Sequence, residues 1–243
     1  MNFIWTRMAF KFPATLFLGP EAIAASTGST LVERDYLPEV ERLVRTQIPN
    51  VTSVHIFDQR IRRNVSYQSA GLRHIDLNNR AFYLLPVNTA HVEQVVTHEI
   101  FQDSTPASAV QRVRREMGDQ AESLLKGRIR ITNLWRPINH RVEDNPLAVC
   151  DGSLVDYDDM LASDHVTRDY VGETFNLMYR SKYDWYYISN QDVDEVLMFK
   201  TYDSSSQVAA RHCPHASFHH AKVPAGTLPR ESIEVRVLIF SND

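Results

Sequence analysis

Apolar positions recur at helical spacing in two stretches of the chain. Between residues 34 and 48, Tyr36, Val40, Leu43, Val44 and Ile48 share one face, and Pro49-Asn50 ends the pattern, so a helix is expected there. A second helix is expected from Ser104-Thr105-Pro106, a hydroxyl cap followed by a first-turn proline, to Gly127. Its apolar face is Val110, Val113, Met117, Ala121, Leu124 and Leu125. Elsewhere β-rich runs dominate: residues 51–57, 128–132 running into Asn133-Leu134-Trp135, 174–179, 184–188, 196–202 and 233–240 read as strands. Residues 59–80 are polar and rich in Arg and Asn, and read as loop with short pieces of structure. Residues 1–30 show little periodicity and read as an N-terminal extension, leaving 31–243 as a single domain.

Helices first, then a β-rich half with turn chemistry between short strands, predict a mainly β protein with flanking helices. A double-stranded β-helix, the jelly-roll core of cupins, fits this order. The 243 residues are 43% hydrophobic, enough for a sizeable core. A net charge of −4 and a pI near 6.2, with no basic stripe interleaved by aromatics, argue against a nucleic-acid partner. Arg62-Arg63 and Arg114-Arg115 read as solvated pairs. The two cysteines lack zinc spacing and are too few for a disulfide scaffold, which points to a reducing, cytoplasmic setting. Arg7 and Lys11 beside an apolar stretch, with Ala22-Ile23-Ala24-Ala25 after it, have the outline of a secretory leader, but Pro13 and Pro20 bracket that stretch. No apolar run is long enough for a membrane span. The oligomeric state stays open, a homodimer included.

The last thirty or so residues carry the chemistry. His215, in Cys213-Pro214-His215-Ala216-Ser217-Phe218, is followed by a turn-rich connection and then by Arg230-Glu231-Ser232-Ile233-Glu234-Val235-Arg236. This reads as strand, hairpin, strand. Arg230, Ser232, Glu234 and Arg236 fall on one strand face, opposite Ile233, Val235 and Val237. An inward stripe of this kind needs an anionic partner, and a dianionic 2-oxo acid supplies one. A guanidinium fork and a serine hydroxyl bind its distal carboxylate, with Arg230 the first choice, Arg236 the second, and Glu234 steadying one of them. A facial Fe(II) site needs two His and a carboxylate. His215 is one; the others come as His-x-acid on a strand, where a period of two points both side chains the same way. His91-Val92-Glu93 and His74-Ile75-Asp76 both qualify. The first follows an apolar run, residues 82–87, and the second lies in the polar stretch. His219 and His220 read as exposed near the hairpin loop. Asn133, Trp135 and Arg136, in the string Asn133-Leu134-Trp135-Arg136-Pro137, are candidate pocket residues. Trp185-Tyr186-Tyr187 reads as an aromatic core strand, with Tyr187 able to reach a cofactor oxygen.

Read in order, several strings resemble a known family: Tyr36-Leu37-Pro38-Glu39-Val40, Asn133-Leu134-Trp135-Arg136-Pro137, Pro146-Leu147-Ala148-Val149-Cys150-Asp151, Lys200-Thr201-Tyr202-Asp203-Ser204, Pro214-His215-Ala216-Ser217-Phe218 and the Arg230–Arg236 segment. The family is that of the fungal Fe(II)/2-oxoglutarate-dependent hydroxylases and desaturases, gibberellin desaturase-like and aspergillic-acid-pathway-type, which is also similar to cephamycin methoxylation proteins. The resemblance covers roughly residues 35–240. It implies Fe(II), 2-oxoglutarate as cosubstrate, dioxygen and a small secondary metabolite. The family's iron motif is Pro, a few residues, then His-x-Asp-Gln. Pro86 to Gln94 matches it with Glu93 in the Asp position, which favours His91, Glu93 and His215 as the iron set. The Glu is a departure, and it keeps two other functions in play: a cupin-like binding protein or pseudoenzyme, and a jelly-roll hydrolase or isomerase using another metal.

Overall fold

The computed structural model describes residues 9–13, 32–71, 82–93, 107–166 and 171–242. The chain begins with β1 (Ala9–Pro13), followed by a π-helical turn at Val32–Tyr36 and α1 (Leu37–Gln47). β2 (Val51–Arg63) and β3 (His91–Glu93) precede α2 (Ala107–Met117) and the short α3 (Ala121–Leu124). Then come β4 (Arg128–Pro137), β5 (Leu147–Cys150), β6 (Met160–Val166), β7 (Val171–Leu177), β8 (Trp185–Tyr187), β9 (Glu195–Asp203), β10 (His215–Ser217) and β11 (Glu231–Ser241). The strands form a five-stranded sheet in the order β1-β9-β4-β11-β2 and a six-stranded sheet in the order β6-β7-β3-β10-β5-β8. All pairings between these strands are antiparallel. The sheets pack face to face through Trp135, Leu197 and Phe199 on one side and Leu147, Val149 and Cys213 on the other. This is the jelly-roll architecture expected from the order of elements.

Alternation divides each central strand between two tasks. On β11, Ile233, Val235, Val237 and Ile239 face outward, where Tyr36, Val40, Leu43, Val44 and Ile48 of the first helical region cover them. The helix forms where the sequence puts an apolar stripe at the 3.6-residue period, and it buries that stripe on the sheet. It ends as expected: the Ile48 N–H donates to the Val44 carbonyl at 2.9 Å, and Asn50 turns the chain into β2 with φ of 59°. Asn is one of the few side chains that adopts the left-handed region readily. At the far end of the sandwich, Ala109, Val113 and Ala121 cover Phe57, Ile131, Leu238 and Phe240. The second helical segment is not continuous to Gly127. It breaks at Gly118, whose φ is +51°, into a short 3-10 turn before α3. The expected cap, residues 104–106, lies outside the described residues.

Three expectations need correction. β2 runs on to Arg63, so the polar stretch after Phe57 is partly strand. Its polarity arises because Asp58, Arg60 and Arg62 stand opposite Arg236, Glu234 and Ser232 of β11, on a charged inner face. β10 and β11 are not a hairpin. They lie in different sheets, and residues 218–230 cross between them, since β11 is already flanked by β2 and β4 along its length. Trp185-Tyr186-Tyr187 is not core: β8 is a sheet edge with β5 as its neighbour, and its side chains are exposed. The N-terminal segment contributes β1, an edge strand against β9.

Leu43→Ala should destabilise the protein by about 2–4 kcal/mol, because Leu43 is buried under the sheet and leaves a cavity. Glu41→Ala, which removes an exposed pair with Arg45 at 2.9 Å, should cost less than about 0.5 kcal/mol. Urea denaturation of both variants checks the contrast.

Candidate metal centre

His91 and His215 stand directly opposite each other in the β3–β10 ladder. Such pairs bring side chains on one face into contact, and here the ring centroids are 4.4 Å apart. Glu93, two residues on, points to the same face as His91, while Val92 packs on the other face against Met160 and Phe175. His91, Glu93 and His215 offer ligand atoms that all lie within 4.8 Å of one another. His91 Nε2 is 3.9 Å from Glu93 Oε1. Each imidazole is held by its other nitrogen: Nδ1 of His91 is 2.8 Å from the Thr89 carbonyl, and Nδ1 of His215 is 3.3 Å from the Cys213 carbonyl. A carbonyl accepts only, so both rings carry the proton on Nδ1 and turn Nε2 toward the partner residues. Burial pushes the His215 imidazole down to about 3, and His91 adds to the shift. His215 is therefore neutral, the form that ligates a metal.

Arg236 lies beside the triad. Its Nη1 donates to Asp58 Oδ2 at 3.0 Å, its Nη2 donates to Glu93 Oε1, and Glu234 Oε2 is 3.5 Å from Nη2. Burial of the guanidinium opposes its charge, but Glu93 and Glu234 outweigh burial and raise its pKa. Arg236 is thus paired with carboxylates of the chain. Glu234 is fixed as well. Burial works against its ionisation, yet Arg236 and Arg62 hold its carboxyl down at about 2. Asn133 donates to Glu234 Oε1 at 2.8 Å. Arg62, expected on a solvated face, instead turns inward, with Nε 3.7 Å from Glu234 Oε2 and Nη1 on the Leu85 carbonyl at 3.0 Å.

A narrow cavity lies between the sheets, lined by Arg62, Val87, His91, Trp135, Leu147, His215, Ser217, Arg230 and Glu234. Arg230 is fully buried over the Trp135 ring, with its guanidinium carbon 5.4 Å from the ring centroid. Nη1 donates to Ser217 Oγ at 2.6 Å and to the Asn145 carbonyl at 2.9 Å. Nε and Nη2 of Arg230, Ser232 Oγ and Trp135 Nε1 are buried without a hydrogen-bond partner among the described residues. Burial, then the charge of Arg62, pulls Arg230 down to about 10. A buried cation with idle donors costs free energy unless an anion completes it. The orphaned donor set beside the triad therefore fits the far carboxylate of a 2-oxo dicarboxylic acid whose other end reaches a metal.

The sequence did not reveal what presents Arg230. Both Asp144 carboxylate oxygens accept from the Arg230 backbone N–H at 3.1 Å, and Asp144 also takes a bond from Asn64 at 2.7 Å. Asp144-Asn145 has the composition of an ordinary turn, and its partners are distant in sequence, so periodicity carries no trace of it. Two expected pocket residues are elsewhere. Arg136 points to the outer face of β4, under Tyr36, with its guanidinium carbon 5.7 Å from that ring, because it alternates with Trp135. Tyr187 sits on the exposed edge strand against Phe218, ring centroids 5.1 Å apart. His74 and Asp76 lie outside the described residues.

A jelly roll with a two-histidine, one-carboxylate triad and a buried arginine facing it defines a non-haem metal-dependent oxygenase class. Comparison with known proteins agrees. A family model described as "YDMC: Oxidoreductase/YMDC permease-like domain" matches residues 21–240. The chain is 34% identical over 212 residues to the Fe(II)/2-oxoglutarate-dependent dioxygenase nvfI of Aspergillus novofumigatus, covering 86% of this chain and 67% of that protein. It is 37% identical over 145 residues to aspirochlorine biosynthesis protein N of Aspergillus oryzae, covering 57% of this chain and 59% of that protein. The solved structure of the iron and alpha-ketoglutarate-dependent endoperoxidase NvfI superposes with a TM-score of 0.80 at 28% identity, over 99% of this chain and 81% of that one. The chain belongs to this family of fungal Fe(II)/2-oxoglutarate-dependent dioxygenases. It spans 59% of the length of one of these curated relatives and 67% of the other.

The buried imidazoles set an acid limit. The pKa of His215 is lowered from 6.5 to about 3 and that of His212 from 6.5 to about 4, chiefly by burial. The unfolded chain therefore takes up these protons first, so the stabilisation is complete above about 6.5 and is lost as pH falls toward 3. The urea midpoint of the metal-free protein should decline from about pH 6.5 downward, before the carboxylates titrate. A midpoint that stays flat down to about pH 5 would contradict neutral buried imidazoles.

Proposed function

We propose that this chain is an Fe(II)/2-oxoglutarate-dependent oxygenase that hydroxylates or desaturates a small secondary metabolite or amino-acid-derived substrate. The observation that carries the proposal is that His91 and His215 of the triad line the same cavity as Arg230, whose Nε and Nη2 are idle. In this reading His91, Glu93 and His215 hold Fe(II) on one face. Arg230 and Ser232 grip the distal carboxylate of 2-oxoglutarate, and Trp135 forms the floor under the guanidinium. When bound, the metal and the 2-oxo acid supply the oxidising chemistry, with dioxygen as oxidant and succinate and carbon dioxide as co-products.

The protein's own residues supply position and exclusion. The Thr89 and Cys213 carbonyls fix the imidazole tautomers. Asp144 and Asn145 set the height of Arg230 in the wall. Phe199 packs against His215 at 4.7 Å between ring centroids, and Leu147 and Val87 line the cavity, so apolar side chains help to exclude water there. Glu93 in place of Asp does not cost the site its carboxylate, since one of its oxygens stays within 4.8 Å of a nitrogen of each imidazole; this weighs against a binding protein with a lost metal site. The idle Arg230–Ser232 donors weigh against a hydrolase or isomerase, whose chemistry calls for no such anion clamp. A cytoplasmic setting is supported by Cys150 and Cys213, both buried free thiols. Among the described residues no helix is long and apolar enough to cross a membrane.

Anaerobic Fe(II) with 2-oxoglutarate should give a weak visible charge-transfer band, and admission of air should yield succinate. His91→Ala should abolish the band, and His74→Ala should leave it unchanged. Arg230→Met should keep metal affinity within about threefold and weaken 2-oxoglutarate by roughly 10²-fold, the loss of a charge-assisted fork. Absence of both band and succinate in the wild-type protein would sink the oxygenase reading.

A further inference from the structure

One guanidinium joins three strands and both sheets at the edge of the triad. Arg236 rises from β11, reaches Asp58 on β2 with Nη1, and reaches Glu93 on β3 with Nη2. Glu234, its neighbour along β11, lies 3.5 Å from Nη2. The side chains of Arg236 and Glu93 are each 16% exposed, so these contacts are made largely out of water, where a charge-assisted bond is strong and an uncompensated charge is costly. Arg236 does not line the cavity that holds the idle donors of Arg230.

The contact falls on one oxygen of Glu93. Oε1 accepts from Arg236, whereas Oε2 is buried without a partner among the described residues. A glutamate has one more rotatable bond than an aspartate. Left unheld, its carboxylate can swing away from a metal or close on it through both oxygens, taking a position the reaction needs. Ligating carboxylates that are themselves hydrogen-bonded avoid both faults. Arg236 is itself prevented from swinging. Asp58 fixes its other terminal nitrogen, and Glu234, braced by Asn133 at 2.8 Å, lies alongside.

We infer that Arg236 is a positioning residue of the metal centre: by bonding Glu93 Oε1, the oxygen that lies 3.9 Å from His91 Nε2, it fixes the orientation of the carboxylate beside the imidazoles. The inference rests on the proposed ligand set. It assigns Arg236 to the metal side of the site and leaves the 2-oxo acid to Arg230.

The test uses Co(II) as the probe, titrated anaerobically without 2-oxoglutarate and followed by its visible absorption. Arg236→Met, matched in length and unable to donate, should weaken Co(II) by about 10–100-fold and alter the band shape as the carboxylate is freed. 2-Oxoglutarate, titrated at saturating Co(II), should bind this variant within about threefold of wild type. Arg236→Lys keeps the charge but cannot serve Asp58 and Glu93 at once. It should fall between the two, roughly 3–10-fold weaker for Co(II) with a changed spectrum. If Arg236→Met fails to fold by circular dichroism, the lysine variant decides on the same readouts. Wild-type Co(II) affinity and spectrum in a folded variant would overturn the inference. So would unchanged Co(II) binding with loss of 2-oxoglutarate, which would make Arg236 a cosubstrate ligand. His91→Ala separates this from failure of the ligand set: if His91→Ala binds Co(II) as wild type does, the metal is held elsewhere and both readings fall; if it loses Co(II) while Arg236→Met does not, only the positioning role fails.

Discussion

The structure depends on one burdened strand. β11 is flanked on both sides by other strands along its length, so its outer face must be apolar for α1 and its inner face is shut between the sheets. Yet that inner face carries Ser232, Glu234 and Arg236, with Arg230 immediately before it. Charges taken out of water are tolerated only when paired or bonded. Much of the surrounding polar structure follows from that demand. Asp58 and Arg62 on β2, Asn133 on β4, Glu93 on β3 and Asp144 in the loop before β5 each satisfy part of it.

The compensation is uneven, and the unevenness falls where function would need it. Glu234 and Arg236 are matched by neighbours from several elements. Arg230 is bonded through one terminal nitrogen while Nε and Nη2 stay idle, as does Ser232 Oγ, whereas Arg236 leaves only Nε so. Natural proteins break local rules of satisfaction chiefly at sites that await a partner. The two sheets also divide the work. The six-stranded sheet contributes His91, Glu93 and His215; the five-stranded sheet contributes Arg230 and Ser232. Neither half makes a site alone, so assembly of the site is the same event as closure of the sandwich.

Glu93 shows how much the surroundings of a side chain add to what its place in a motif says. An added methylene changes reach and freedom, and the guanidinium of Arg236 bonds one oxygen of that carboxylate. The arrangement draws Asp58, Arg236 and Glu93 from three strands, so the motif read in isolation does not reveal it.

The sequence by itself determined the alternation of β11, the helix over residues 34–48, the mainly β class and the identity of the residues with metal-binding and anion-binding chemistry. These are local matters, set by a period of 2.0 or 3.6 and by side-chain type. Tertiary structure decided which of them meet. It separated β10 from β11 into different sheets, turned Arg62 inward, sent Arg136 beneath Tyr36, left Tyr187 on an exposed edge, and recruited Asp144 and Asn145 to present Arg230. It also parted Arg230 from Arg236, which share a strand face and are indistinguishable by pattern. What differs between them is the charge each finds across the gap between the sheets, and that depends on strand order and register, which no local period encodes.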